Sequence, residues 1–184
     1  MPMTLTRSIL SIFVPGGIAL APWLLYIAVR FPSAAAFYDN YSTPANFVII
    51  AAIIVTGTIF ETWGATLEKR WDTKREEKYE VLDNWYAYLA RSIDPEPVGY
   101  RYISRAVTTM YFELTMIFAS FSLIIGGAAV VSSQWPKLAA YITLTSIVLG
   151  AASARYFRFQ AYRSHRLLCK TRREINQRLA DASA

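Results

Sequence analysis

Four stretches without one charged side chain constrain this sequence more than anything else in it: Ser8–Val29, Asn40–Phe60, Leu114–Pro136 and Leu138–Ala154. The first three reach the roughly 20 residues that a helix needs to cross the hydrocarbon of a bilayer. The fourth has 17 residues and can borrow length from Lys137 and Arg155, whose long side chains can snorkel to the two interfaces. An apolar fraction of 54% and a mean hydropathy of +0.27 follow from these runs. The expected fold is all-α: a single polytopic membrane domain over 1–184 with transmembrane helices at about 8–30, 44–64, 108–132 and 137–155. A helical insert over 65–106 and a basic C-terminal helix over 156–180 are expected in the cytosol.

The distribution of Lys and Arg sets the expected orientation. The segment Phe31–Ala45, between runs one and two, has none. Between runs two and three there are Lys69, Arg70, Lys74, Arg75, Lys78, Arg91, Arg101 and Arg105, and after run four another eight from Arg155 to Arg178. Both termini and the central segment are therefore expected in the cytoplasm, with the runs in the inner (plasma) membrane. The net charge of +6 belongs to the tail, because residues 67–92 carry six basic and six acidic side chains. Such a tail suits anionic lipid headgroups, and no nucleic-acid-binding motif accompanies it.

Run one carries Pro15, Gly16, Gly17 and Pro22. Its length and internal prolines favour a membrane helix over a cleaved signal. The prolines remove backbone hydrogen bonds, so a kink, or a break into two halves, is expected there. These four residues are the candidate hinge. A surface loop is expected over Phe31–Ala45.

The stretch Phe47–Ser92 contains no proline. It reads as one long helix, straight or bent, that leaves the membrane and enters water, with the rest of the chain arranged around it. Glu68, Asp72, Glu76 and Glu80 recur at intervals of four, as do Arg70, Lys74 and Lys78, giving an acidic and a basic stripe. Like charges at that spacing repel, so the acidic stripe is expected to pair with the basic tail. The cytosolic interaction candidates are Glu68, Asp72, Glu76, Glu80, Trp85, Arg166 and Arg173. The Trp and Tyr residues between Trp63 and Tyr111 read as an interfacial belt and arm packing; a pocket stacked by Trp85 and Tyr88 is the sharper alternative. Ser92–Gly99, with two prolines and a glycine, ends this segment. Run four is rich in small residues that allow close helix approach and is expected to continue as helix to about Leu179, with Phe157, Leu168 and Ile175 on one face.

Glu61 and Glu113 are the deepest ionisable groups. By default they face inward, either as a charged pore mouth or in ion pairs with Arg101, Arg105 or Arg155. His165 stands alone, with no Glu three residues before it, so a four-helix carboxylate metal site is not expected; it reads as an interhelical or surface residue. The lone Cys169 reads as a free thiol. No nucleophile motif or phosphate loop is present, and no cofactor is expected. The leading functional expectation is a homo-oligomeric channel or membrane-perturbing effector or sensor module, of the general build used by bacterial stress or anti-phage systems. An anchor that recruits a soluble cytosolic protein through its arms is the second expectation, and an intramembrane lipid or quinone enzyme the third.

Overall fold

The computed structural model describes residues 8–90 and 100–181. Arg7 and the turn over 92–99 lie outside the described residues, as do the side chains of Tyr88, Arg101 and Leu179. Helix α1 spans Ile9–Arg30, α2 Pro32–Asn40, α3 Ser42–Tyr79, α4 Val81–Ala90, α5 Tyr100–Gln134 and α6 Ala139–Asp181. There is no strand among the described residues. Helices α1, α3, α5 and α6 are long and apolar enough to cross a membrane.

Helix α5 is the hub. It packs against α6, α1 and α3, and 50% of its apolar window is buried, against 11% for α3 and for α6. This corrects the expectation that the chain is organised around Phe47–Ser92. Ile103, Met110, Leu114 and Ile117 recur on α5 at the three-to-four spacing of a helix seam and meet Trp71 of α3 with Ala161 and Leu168 of α6 in one core. Outside this core the apolar halves of α3 and α6 expose Phe47, Val48, Val55, Tyr141, Leu144 and Val148. A surface that apolar is suited to lipid rather than water.

Helix α1 is neither broken nor split. Its start is π-helical over Ile9–Phe13 and it runs on as α-helix over Val14–Arg30, with Pro22 inside. The wide π turn precedes Pro15, where an ordinary turn would set the proline ring against a carbonyl. At this point α1 and α3 touch backbone to backbone. A Cβ on Gly16 would fall on the Ile53 carbonyl, and one on Gly57 would fall on the Ile12 carbonyl. Gly17 faces open space, whereas Pro22 fills the gap left by Gly126. The Trp23 indole donates to Ser122 Oγ at 3.0 Å, and Ser122 donates to the Ala19 carbonyl at 3.1 Å, which ties α1 to α5.

Two further expectations are corrected. The loop over Phe31–Ala45 contains helix α2, bounded by non-helical Phe31 and Tyr41. The long central helix stops at Tyr79 because Glu80 adopts a left-handed conformation (φ 46°, ψ 54°). A left-handed non-glycine residue costs about 1–2 kcal/mol, and tertiary contacts offset it. The carbonyls freed at the end of α3 are satisfied by Arg173, which donates to Lys78 O at 2.8 Å, and by Asn84, whose amide donates to Tyr79 O at 2.8 Å. The Asn176 side chain in turn holds the Asn84 carbonyl at 2.9 Å. The Glu76 carboxylate accepts the Leu82 N–H at 3.3 Å, placing negative charge at the start of α4, where the helix dipole favours it. Val81 then packs at 5% exposure. The continuation of α6 well past Arg155 agrees with expectation.

Candidate functional site

The expected pairing of the acidic stripe with the tail is present at Asp72, which pairs with His165, and the Arg172 charge acts on Glu68. Lys170 and Glu174 form a surface pair within the tail itself. Each member of the stripe has a separate task. Glu76 caps α4 and Glu80 makes the turn. Glu68 lies between α3 and α5, where burial pushes its carboxyl above the usual range; a hydrogen bond from Tyr111 opposes that and the Asp72 charge adds to it. Asp72 turns toward α6.

At that level α3 and α6 are joined by a chain of polar groups. Trp71 sits in the core, and the next inward position one turn on is Arg75, only 7% exposed. On α6 the inward positions are Ala161, His165 and Leu168. The sequence thus continues two apolar seams with a guanidinium and an imidazole. Arg75 Nη1 donates to His165 Nδ1 and Nη2 donates to the Tyr162 carbonyl at 3.2 Å. The guanidinium carbon lies 4.1 Å from the centre of the Tyr162 ring. His165 Nε2 is 2.7 Å from Asp72 Oδ1. Trp71 meets both the Tyr162 and the His165 ring edge-on, at 5.5 and 5.8 Å between centroids. Cys169, also buried, holds its sulfur 3.9 Å from His165 Nδ1.

This arrangement has a defined proton inventory. With Nδ1 receiving Arg75, the imidazole is neutral and carries its proton on Nε2, toward Asp72. Arg75, His165 and Asp72 then sum to zero charge, the condition under which buried ionic groups are tolerable. A second state competes with it. Burial opposes the imidazolium, but hydrogen bonds to Asp72 and Cys169 outweigh burial and raise the His165 pKa from 6.5 to about 9. A protonated Nδ1 has no lone pair for Arg75. The proton and the Arg75 guanidinium therefore exclude each other at one nitrogen.

Asp72, His165 and Cys169 bring three possible metal-ligand atoms within 4.8 Å of one another. The donor set does not fit a metal well. One imidazole nitrogen is taken by Arg75 and the other by Asp72, and the adjacent guanidinium adds positive charge.

The two deep carboxylates are not brought to one place. Ser11 on α1 donates to Glu61 Oε1 at 3.4 Å, and Ser164 on α6 donates to Glu113 Oε2 at 2.6 Å. Their hydrogen bonds come from serines rather than from Arg105 or Arg155, both of which are exposed; the Arg101 side chain lies outside the described residues. Arg166 is exposed, Arg173 caps α3, and Trp85 packs against the core beneath Arg172, whose guanidinium carbon lies 4.1 Å from the ring centre.

Arg75 and Tyr162 escape a reading based on stripes, and His165 is recognised only as interhelical. The signal that finds them is register. Stepping the seam of Leu168 and Ile175 backward lands on His165 and Ala161, and stepping Gly64 and Trp71 forward lands on Arg75. Comparison with protein-family models, curated proteins and solved structures finds no match for the chain.

Proposed function

We propose that the protein is a self-associating sensor or effector module of the inner membrane, acting without covalent chemistry. Its charged arms lie in the cytoplasm, beside anionic headgroups. The observation behind this reading is the buried Arg75–His165–Asp72 chain, which joins the arms of α3 and α6 and has two arrangements that differ by one proton. A histidine titrating in such a seam is a common physical basis for a conformational switch. When the proton displaces Arg75, the arms lose a cross-link and α3 can shift against α6. The exposed apolar faces of α3 and α6 are where a second copy would meet the first. Glu61 and Glu113 are the charges that such a shift would bring to a pore mouth, and the segment from Pro15 to Pro22 is the part of α1 that would move with it.

The test is ion and dye efflux from proteoliposomes across external pH 6 to 9.5, together with the lipid-corrected mass of the particle by light scattering. The expected result is a discrete oligomer whose efflux changes with pH, with that dependence abolished in His165→Gln and the selectivity altered in Glu61→Gln/Glu113→Gln. A monomer with efflux equal to empty liposomes at every pH would sink the reading.

A second reading, an anchor for a soluble acidic partner, is favoured by the exposed Arg163, Arg166 and Lys170, which border one surface hollow on α6. Co-purification of one protein, lost in Arg163→Gln/Arg166→Gln/Lys170→Gln, would support it.

A further inference from the structure

Between α3 and α6, with α5 as its floor, the molecule leaves a lateral groove whose chemistry changes along its length. Its charged end is a cavity of about 760 Å³ bordered by Lys74, Arg155 and Arg158, with Ile117, Phe121 and Ala154 beneath. Its apolar end is a second cavity of about 470 Å³, reaching Phe60 and Trp63 and sharing Ile117, Phe121 and Ala154 with the first. A neighbouring hollow adds Arg70 beside Lys74 and Arg158. In their apolar halves α3 approaches α1 most closely, at Gly57 against Ile12, and α6 approaches α5, at Gly150 against Phe121, which leaves the groove between them. Small Ala151 and Ala154 keep the α6 wall of the groove from filling it.

The cations at its mouth are uncompensated. Among the described residues no carboxylate forms an ion pair with Arg70, Lys74, Arg155 or Arg158. Like charges around one cavity repel until an anion enters. Arg155 follows the last uncharged run directly and Arg158 lies one turn beyond it, which is headgroup depth for a chain that spans the membrane. An occupant must therefore be anionic at one end and apolar for the length of a chain at the other. Each of the two cavities is within the usual size range for a ligand pocket.

We propose that this groove holds one anionic phospholipid, its phosphate on Lys74, Arg155 and Arg158 and an acyl chain along Ile117, Phe121 and Ala154 toward Trp63. The proposal rests on the membrane reading of the chain and not on the proton switch. The lipid is distinct from the general attraction of a basic tail to a charged surface, because it is held by a shaped site between two helices.

The experiment is quantitative lipid analysis by native mass spectrometry of the full chain, purified in mild detergent from membranes that contain zwitterionic and anionic phospholipid. About one anionic lipid per chain is expected to survive exchange. Lys74→Gln/Arg155→Gln/Arg158→Gln is expected to lower its retention at least tenfold. Ala151→Phe/Ala154→Phe, which fills the groove from the α6 wall and keeps every cation, is expected to do the same. Arg163→Gln/Arg166→Gln/Lys170→Gln removes equal charge elsewhere on α6 and is expected to leave retention unchanged. Helical circular dichroism and a monodisperse elution profile show that each variant is folded. Equal retention in all folded variants, loss in the control alone, or displacement by inorganic phosphate would overturn the proposal. A chain that leaves membranes without detergent would overturn the membrane reading itself.

Discussion

The two halves of α3 are held by opposite means. The apolar half meets α1 at Gly57 and Gly16, where removal of two side chains lets backbones touch. The charged half meets α6 through long polar side chains, with Arg75 and Asp72 of α3 both reaching across to His165 of α6. On the proposed membrane placement, the difference follows from solvent. In hydrocarbon, burying a leucine gains little, because lipid is as apolar as the protein, so close packing and small residues must hold helices together. In water, apolar burial is already favourable, and the seam around Trp71, Leu114 and Leu168 supplies it. Polar groups there add selectivity for one arrangement at the risk of an uncompensated charge.

The sharpest way to break this comparison is at the crossing. Gly57→Leu is expected to prevent assembly of the apolar half altogether, and even Gly57→Ala is expected to be destabilising, since its Cβ falls on the Ile12 carbonyl. Gly17→Ala, with nothing within 4 Å of its Cβ, is the matched control and is expected to be neutral. The fraction of monodisperse protein and the melting temperature in detergent read both. Equal behaviour of the two glycines would remove the crossing from the account.

Next in size is the polar seam. Arg75→Met removes the hydrogen bonds to His165 and the Tyr162 carbonyl and leaves Asp72 to a counter-charge that His165 supplies only by taking up a proton; it is expected to cost about 1–3 kcal/mol. Adding His165→Leu and Asp72→Leu is expected to recover much of the loss. A triple variant as unstable as the single one would show that packing, not charge balance, decides the site.

A pH series sharpens the same point. The His165 pKa in the fold is raised from 6.5 to about 9, so its contribution is complete below 6.5 and is lost as pH rises toward 9. The loss is bounded by about 3 kcal/mol and is reduced by the share of molecules in which Arg75 holds Nδ1. Melting temperature is therefore expected to fall between pH 6.5 and 9, and His165→Gln to flatten that interval. A profile unchanged by His165→Gln would assign the slope to other groups. Glu68, also raised, acts in the same direction but in a lower interval that starts at its ordinary 4.5.

The smallest expected effect has the most telling sign. At Glu80 (φ 46°) glycine relieves strain, so Glu80→Gly is expected to stabilise by about 0.5–1 kcal/mol. In an uninterrupted helix the same change would destabilise by about 1 kcal/mol. Thermal melting therefore distinguishes a broken from a continuous α3.

Much of the architecture is legible in the residues alone. Uncharged runs of membrane length mark four long helices, because no other open structure satisfies its backbone in hydrocarbon. The absence of proline and glycine after Gly150 carries α6 far past Arg155. Side-chain periodicity also contains the seam, once it is followed through His165 and Arg75 instead of stopping at the first charge. What the sequence alone leaves undetermined is which partner each polar group takes. The run Lys78-Tyr79-Glu80-Val81 has good helix formers and no breaker. It breaks because Arg173, Asn176 and Asn84, distant in sequence or displaced by the turn, satisfy the freed carbonyls. The acidic stripe is regular along α3, yet Glu68, Asp72, Glu76 and Glu80 end in four unlike environments. The run lengths and periods arise within one helix and were determined by the sequence. Caps, a left-handed turn and a shared proton depend on groups from separate helices arriving together, and only the tertiary structure decided those.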